Sequence, residues 1–148
     1  MLSATADLLD VNVWLALAVA GHPHHDSAVK AWGEMNRPAF CRITQLGFLR
    51  LLCNRQVMGA DTLGPDDAWS AYAQLLAGGV ARFIEEPEGI EANLKYILKG
   101  ATAGRDFWTD AYLAAFAKSA GMRLVSFDTG FARIKDLEHL ILGRGKLS

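Results

Sequence analysis

The sequence is poor in cysteine and in long apolar runs, and each shortage excludes a class of protein. Its two cysteines, Cys41 and Cys53, lack the spacing of a metal site, so we interpret both as reduced packing residues. The longest apolar stretch, 13–20, is far shorter than the roughly 20 residues that a membrane span needs. No basic residue precedes it, which argues against a signal peptide. We therefore predict a cytoplasmic protein with no membrane association.

Net charge is also nearly absent. Fifteen Lys and Arg residues face sixteen Asp and Glu residues, which gives a net charge of −1. This balance excludes the broad basic coat of non-specific nucleic-acid binders, although it leaves room for a local basic rim around an acidic pocket. Hydrophobic residues make up 51% and charged residues 21%, an ordinary globular composition. The length predicts one domain over residues 1–148.

Strand and helix patterns alternate along the chain in the order βααβααβααβαβ. The predicted strands lie at 7–9, 39–41, 81–84, 123–126 and 139–142. The predicted helices lie at 13–20, 26–35, 44–54, 65–77, 91–98, 109–121 and 131–134, with Thr44 as the N-cap of the third. This order predicts an α/β sandwich with a mostly parallel central sheet flanked by helices.

Three aspartates stand at positions where such a fold places a ligand site. Asp10 follows the first strand in "DLLD", and Asp128 follows the fourth in "LVSFDTGF". Ligands of parallel sheets bind beyond the carboxyl ends of the strands, so these side chains are predicted at one edge. Asp110 lies in the first turn of the helix "TDAYLAAFA". Taken alone, Asp110 is explained by the helix dipole; taken with the other two, it predicts a shared pocket.

A pocket of three carboxylates predicts a bound cation. At separations of ~5 Å and an effective dielectric constant near 20, each pair repels by roughly 3 kcal/mol. Ligands that are all oxygen favour a hard divalent ion, Mg²⁺ or alternatively Mn²⁺. Such an ion activates water and stabilises charge on a leaving oxygen, which suits phosphodiester hydrolysis.

Four segments together resemble a known family. They are "LLDVNVWLAL", "RITQLGFLRLL", "TDAYLAAFA" and "LVSFDTGF", and in this order and spacing the chain resembles the PIN-domain ribonucleases, above all the VapC toxins of bacterial toxin–antitoxin pairs. The resemblance implies a PIN-like three-layer sandwich and a Mg²⁺-dependent endoribonuclease that cuts RNA. It also implies a cognate antitoxin that silences the enzyme, and a homodimer.

The resemblance assigns roles to individual residues. It implies that Asp10, Asp110 and Asp128 are the catalytic residues and the metal ligands. Asn12 and Ser126, in the first and last motifs, are expected to give them polar support.

One position departs from the family pattern. Gln45 follows Thr44 where the family usually has a glutamate, which leaves open whether one metal or two are bound. The amide oxygen of Gln45, or the carboxylate of Asp106, is a candidate to hold a metal-bound water. Arg50 and Arg105 are predicted to contact phosphate at the rim of the pocket, with scattered surface charge as the alternative explanation.

Other readings of the sequence compete with the nuclease. A haloacid-dehalogenase-type phosphatase needs a second acid two residues after the first, where this chain has Asn12. A receiver domain needs a lysine after a late strand, and "SFDTGF" offers none. The strongest alternative is a catalytically degenerate PIN scaffold that binds RNA or a protein partner without cutting.

Histidines and tryptophans have plainer explanations. The cluster at His22, His24 and His25 is predicted to be a solvated turn. The four tryptophans are predicted to pack in the core or against a partner rather than to stack on bases: Trp14, Trp32, Trp69 and Trp108.

Overall fold

The computed structural model describes residues 6–143 and contains a five-stranded parallel sheet in the order β3-β2-β1-β4-β5. The strands are β1 Asp7–Leu9, β2 Pro38–Phe40, β3 Arg82–Phe83, β4 Arg123–Ser126 and β5 His139–Ile141. The helices are α1 Val11–Ala18, α2 His25–Trp32, α3 Arg42–Leu52, α4 Arg55–Met58, α5 Pro65–Leu76, α6 Ile90–Leu98 and α7 Phe107–Ala120. The predicted α/β sandwich is confirmed.

Two hydrophobic layers enclose the sheet because successive residues of each strand point to opposite faces. Leu9 and Val125 pack in one core with helices α1, α2, α3 and α5. Their neighbours Leu8 and Leu124 pack in the other core with α6 and α7. The three layers of the sandwich thus follow from apolar strands that are buried on both faces.

The core contains two of the four tryptophans. Trp14 is fully buried and stacks on Phe40 with ring centroids 3.9 Å apart, and Trp32 meets Trp14 edge-on. Trp69 and Trp108 are instead exposed, by 52% and 64%. Packing in the core therefore explains Trp14 and Trp32, but not Trp69 and Trp108.

The third helix begins earlier than predicted. Its N-cap is Cys41, so the prediction of Thr44 as the cap is wrong. Thr44 is the third helical residue, and its hydroxyl accepts a hydrogen bond of 2.9 Å from the Cys41 N–H. In a capping box the side chain of the third helical residue bonds back to the N-cap N–H, and Thr44 makes this bond. Threonine is common at both positions, so the sequence pattern placed the start of the helix three residues too late.

Other helix boundaries also differ from the predictions. Helix α1 begins at Val11 because the Asp10 side chain caps it, and α7 begins at Phe107 rather than at residue 109. The short helix α4 was not predicted. The segment predicted as a helix at 131–134 is a 3-10 turn, Thr129–Arg133, which begins after the capping residue Asp128. Within residues 6–143, no helix combines the length and the apolar character that crossing a bilayer demands.

Candidate active site

Asp10 lies where β1 ends and α1 begins. Its N–H donates to the Val125 carbonyl oxygen at 2.9 Å, which holds the residue beside β4. Its Oδ1 accepts the Val11 N–H at 2.7 Å as the N-cap of α1. Its Oδ2 accepts the Ser126 hydroxyl at 2.8 Å. The carboxylate is therefore fixed by both strands and by the helix that follows.

The Ser126 hydroxyl connects three polar residues at this edge of the sheet. It is fully buried at the end of β4, and its Oγ accepts the Asp128 N–H at 2.9 Å while donating to Asp10. Asn12 joins the same network: its Nδ2 donates to Ser126 Oγ at 3.4 Å, and its Oδ1 accepts the Phe127 N–H at 3.3 Å. The two residues predicted to give polar support thus contact the aspartates or the loop that carries them.

Asp128 is exposed on the loop after β4. Its Oδ1 accepts the Gly130 N–H at 2.8 Å, which starts the 3-10 turn. A Cβ at Gly130 would lie 3.1 Å from that oxygen, tighter than ordinary contact. The glycine therefore permits the close turn that holds the Asp128 carboxylate at the edge of the sheet.

Asp110 lies in the first turn of α7, and its N–H donates to the carbonyl oxygen of Asp106 one turn earlier. Burial, followed by the charges of Asp10, Asp128 and Asp106, raises the pKa of Asp110 to about 7. Burial also raises the pKa of Asp10, against the hydrogen bonds from Ser126 and Val11 that lower it, and Asp128 and Asp106 add to the rise. The negative charges of Asp10, Asp128 and Asp106 therefore act on Asp110, and those of Asp128 and Asp106 act on Asp10.

A cleft of about 940 Å³ opens beside the acidic cluster. Asp106, Asp110 and the predicted Arg105 line it. Arg50 is exposed on α3 and is not one of the residues that line this cleft. Three further cations that the sequence analysis did not single out line the same cleft: Lys99, Arg133 and Lys135.

Gln45 is buried on α3, and its amide oxygen is already occupied. The Arg42 guanidinium donates to Gln45 Oε1 at 2.7 Å. The same guanidinium lies 4.4 Å from the centre of the Phe83 ring, which fixes it by a cation–π contact. A cation therefore faces the side chain that replaces the usual glutamate.

Comparison with known proteins identifies the fold. The model of the PIN domain family matches residues 8–137. The chain belongs to the PIN domain family. Ribonuclease VapC41 of Mycobacterium tuberculosis is 41% identical over 145 residues, covering 93% of this chain and 99% of that protein. Ribonuclease VapC38 of the same species is 33% identical over 126 residues, covering 83% and 85%.

Solved structures agree with this assignment. Mycobacterium tuberculosis VapC20, described as a toxin that cleaves the sarcin–ricin loop, superposes with a TM-score of 0.67 at 19% identity, over 93% of this chain and 100% of that one. The VapBC2 complex of Rickettsia felis, bound to a DNA fragment from its promoter, gives 0.65 at 14% identity over 93% and 98%. At these identities the structures show the shared PIN fold alone. The predicted resemblance to PIN-domain ribonucleases of the VapC type is confirmed.

The acidic cluster of this PIN domain suits a hydrated divalent ion. Among residues 6–143, no three His, Cys, Asp or Glu side chains are close enough to enclose a metal by themselves. Mg²⁺, however, keeps several waters and needs only one or two carboxylates. All the donors here are hard carboxylate oxygens, which such ions prefer, and a cation among them would offset the like charges that raise the pKa of Asp110. The donor set therefore fits Mg²⁺ or Mn²⁺ bound through waters.

The cleft cations of the PIN domain left only a weak signal in the sequence. Lys99 and Arg105 flank the segment 100–104 before the Asp110 motif, and Arg133 and Lys135 follow the Asp128 motif. Basic residues just outside two acidic motifs are the signal that could have found them. Of the two arginines predicted to contact phosphate, Arg105 lines the cleft and Arg50 does not; the other three cations lie in loops or a 3-10 turn, where no sequence period marks them.

Proposed function

We propose that this PIN domain is a divalent-metal-dependent endoribonuclease that cuts RNA phosphodiester bonds in the cytoplasm as the toxin of a toxin–antitoxin pair. The observation that carries the proposal is a group of acids at one edge of the sheet: Asp106 and Asp110 line the cleft, and Asp10 and Asp128, joined through Ser126, add their charge to Asp110. The ribonuclease class is supported by family membership and by the VapC relatives that share up to 41% identity over nearly the whole chain.

In this proposal Asp10, Asp110 and Asp128 are the catalytic residues that hold Mg²⁺, with Mn²⁺ as the alternative ion. When bound, such an ion lowers the pKa of water and offsets charge on the leaving oxygen. Ser126 orients Asp10 and partly offsets the effect of burial on its pKa, because a hydrogen bond to a carboxylate favours the charged form. Asn12 holds the loop after β4 through the Phe127 N–H.

Two residues near the cluster have a supporting role in the proposal. Asp106 faces Asp110 from the preceding turn and is suited to hold a water at the site. Arg105 lines the same cleft and binds an RNA phosphate beside the acids. The phosphate contact predicted for Arg50 stays a prediction, since that side chain lies on α3 outside the cleft.

The proposed protein partners are a cognate antitoxin and a second copy of the chain. Several neighbours of this fold were solved as toxin–antitoxin complexes, including VapBC of Salmonella typhimurium. For the homodimer, the supporting observation is α5, where the Trp69 side chain is 52% exposed and the Leu75 and Leu76 side chains are only half-buried. Exposed apolar surface of this kind marks protein interfaces.

An RNA cleavage assay tests the proposed function. Purified protein is incubated with total bacterial RNA in Mg²⁺ or in excess EDTA, and new RNA ends are mapped by sequencing. The proposal expects discrete cuts in Mg²⁺, none in EDTA, and none from Asp128→Asn. Asp66→Asn, which neutralises an exposed acid on α5, is the control and should cut like the wild type. Equal cutting with EDTA would refute the metal-dependent reading.

One observation favours the alternative, a degenerate scaffold that binds RNA or a protein without cutting. Gln45 brings no charge, and its oxygen is taken by Arg42, so the site has fewer free carboxylates than the family pattern. Binding of RNA without cutting in both Mg²⁺ and Mn²⁺ would favour this alternative.

A further inference from the structure

The histidine turn between α1 and α2 is held by hydrogen bonds. Its three histidines, His22, His24 and His25, are half-buried, so the turn is less solvated than predicted. The His24 N–H donates to His22 Nδ1 at 3.0 Å. His25 Nδ1 lies 2.7 Å from the carbonyl oxygen of Ala16 on α1. These contacts fix the turn internally and join it to the helix that precedes it.

The His24 ring packs against Phe127, the residue between Ser126 and Asp128. The two rings are stacked, with centroids 4.9 Å apart and planes at 24°. Phe127 is buried and belongs to the core that contains Leu9. The contact therefore joins the histidine turn to the residue that directly precedes Asp128.

The His24 side chain acts through packing rather than through hydrogen bonds. His24 is the N-cap of α2, yet its side chain makes no capping hydrogen bond. Residues at this position usually accept a helix N–H with a short polar side chain. Within residues 6–143, no group hydrogen-bonds to the buried His24 Nδ1. The stack on Phe127 is therefore the contact of this ring that bears on the site.

Asp128 depends on the backbone around it for its position, because its side chain is exposed. Its N–H donates to Ser126 Oγ at 2.9 Å, and its Oδ1 accepts the Gly130 N–H at 2.8 Å within the same loop. The Phe127 N–H donates to Asn12 Oδ1 over a longer distance, 3.3 Å. The buried Phe127 ring therefore adds an apolar anchor to these hydrogen bonds.

We propose that His24 is a positioning residue for Asp128. Its ring restricts the movement of Phe127, and the Phe127 backbone determines where the Asp128 carboxylate lies. Stacked aromatic rings attract each other beyond the area that they bury, and a close-packed interior transmits strain between neighbours. The effect on metal binding rests on the proposed function, in which Asp128 holds the ion. The effect on the loop does not depend on a metal.

Amide hydrogen exchange in EDTA measures the positioning of the loop, because it needs neither metal nor RNA. The reporters are the N–H groups of Asp128 and Gly130, and buried Ala115 on α7 reports opening of the whole fold. His24→Ala should accelerate exchange at the two loop amides severalfold more than at Ala115. His24→Phe should exchange like the wild type, because it keeps an aromatic ring against Phe127.

His25→Ala is the matched control within the turn. It removes the contact with the Ala16 carbonyl oxygen and keeps the His24 ring, so it should alter stability without accelerating exchange in the loop. Calorimetric Mg²⁺ titration measures the effect on the site. His24→Ala should weaken Mg²⁺ binding severalfold, and His24→Phe should bind Mg²⁺ as the wild type does.

Four results would overturn the inference. They are wild-type exchange of the loop amides in His24→Ala, equal acceleration in His24→Phe, equal acceleration in His25→Ala, and wild-type Mg²⁺ affinity in a His24→Ala protein whose loop exchanges faster. If the wild type binds Mg²⁺ and cuts RNA while His24→Ala matches it in exchange and affinity, only this inference fails. If the loop amides respond as expected and the wild type neither binds Mg²⁺ nor cuts RNA, the proposed function fails and the positioning of the loop stands.

Discussion

The Ser126 hydroxyl lies 2.8 Å from Asp10 Oδ2 and donates a hydrogen bond to it, joining the ends of β4 and β1. The same oxygen accepts the Asp128 N–H at 2.9 Å. One buried hydroxyl therefore positions two of the three aspartates assigned to the metal. This arrangement makes Ser126 a positioning residue whose effect on the site can be separated from its effect on stability.

Ser126→Ala should shift the pH dependence of RNA cleavage. The hydrogen bond from Ser126 lowers the pKa of Asp10, so its loss should move the acidic limb of the rate profile to higher pH. Stability should fall by about 1 kcal/mol, because the buried Ser126 hydroxyl no longer donates to Asp10 or accepts the Asp128 N–H. Cleavage across a pH series and urea denaturation measure the two effects.

Ser27→Ala is the control for that substitution. The Ser27 hydroxyl donates to the Gly143 carbonyl oxygen far along the chain, away from the aspartates. It should alter stability without moving the pH profile. If the acidic side of the pH–rate profile is the same for Ser126→Ala and the wild type, the Ser126 hydroxyl contributes to packing and does not affect the Asp10 pKa.

Metal-free protein should lose stability as pH rises towards neutrality. The Asp110 pKa is about 7 in the folded state and near 3.8 when unfolded, so the folded chain keeps a proton that the unfolded chain has lost. The stability that this bound proton contributes is fully present below pH 3.8 and is lost as the pH rises through about 7. Asp110→Asn removes this dependence. In EDTA its melting midpoint should therefore exceed that of the wild type by a margin that grows from about pH 5 to about pH 8.

The helix dipole opposes this gain, because neutralising an acid in a first helical turn costs roughly 0.3–1 kcal/mol. Asp67→Asn measures that cost alone, since Asp67 occupies the first turn of α5 and is exposed. If the difference in melting midpoint between Asp110→Asn and the wild type does not change with pH, the pKa of Asp110 is not raised.

Gln45→Glu tests whether restoring the glutamate that the family usually has at this position strengthens Mg²⁺ binding. In this structure the new charge would meet the Arg42 guanidinium, which already donates to Gln45 at 2.7 Å. We therefore expect little change in Mg²⁺ affinity for the single variant. Gln45→Glu combined with Arg42→Gln should bind Mg²⁺ more tightly, because the carboxylate is then unpaired. Calorimetric titration compares both with Arg42→Gln alone; equal affinities throughout would mean that position 45 does not face the metal.

The protein should sediment at twice its 16.1 kDa monomer mass at tens of micromolar. Trp69→Ser should shift the distribution towards monomer by removing an exposed apolar side chain from α5. Trp108→Ser, at the other exposed tryptophan, should leave the mass unchanged. A wild-type chain that sediments only as a monomer would exclude the proposed homodimer.

The fold was largely predictable from sequence because the strands are short apolar runs buried on both faces, and the helices begin and end at strong signals. The Pro65 start of α5 and the Gly121 end of α7 are examples, and both boundaries match the predictions. Local hydrogen bonds determined the boundaries that were missed. Thr44 completes a capping box from inside α3.

The site was less predictable because charge alone does not tell where a side chain points. Asp7 and Asp10 are three residues apart: Asp7 begins β1, and Asp10 follows its last residue. Asp7 is buried in an ion pair with Arg123, whereas Asp10 faces the other acids. The register of β1 beside β4 pairs Asp7 with Arg123, which the sequence alone does not reveal. The cations that line the cleft, including Lys135, lie in loops and a 3-10 turn, whose positions in space the periodicity of the sequence does not predict.

We propose above that Asp10, Asp110 and Asp128 form one divalent-cation site that RNA cleavage requires. The most direct measurement is the melting midpoint of EDTA-treated protein as Mg²⁺ is added, compared for the wild type, Asp110→Asn and Asp67→Asn, with cleavage assayed in the same samples. We predict a rise of a few degrees for the wild type and Asp67→Asn by ligand linkage, and no rise and no cleavage for Asp110→Asn. An Asp110→Asn protein that keeps both the Mg²⁺ response and the cleavage would mean that Asp110 caps its helix and holds no metal.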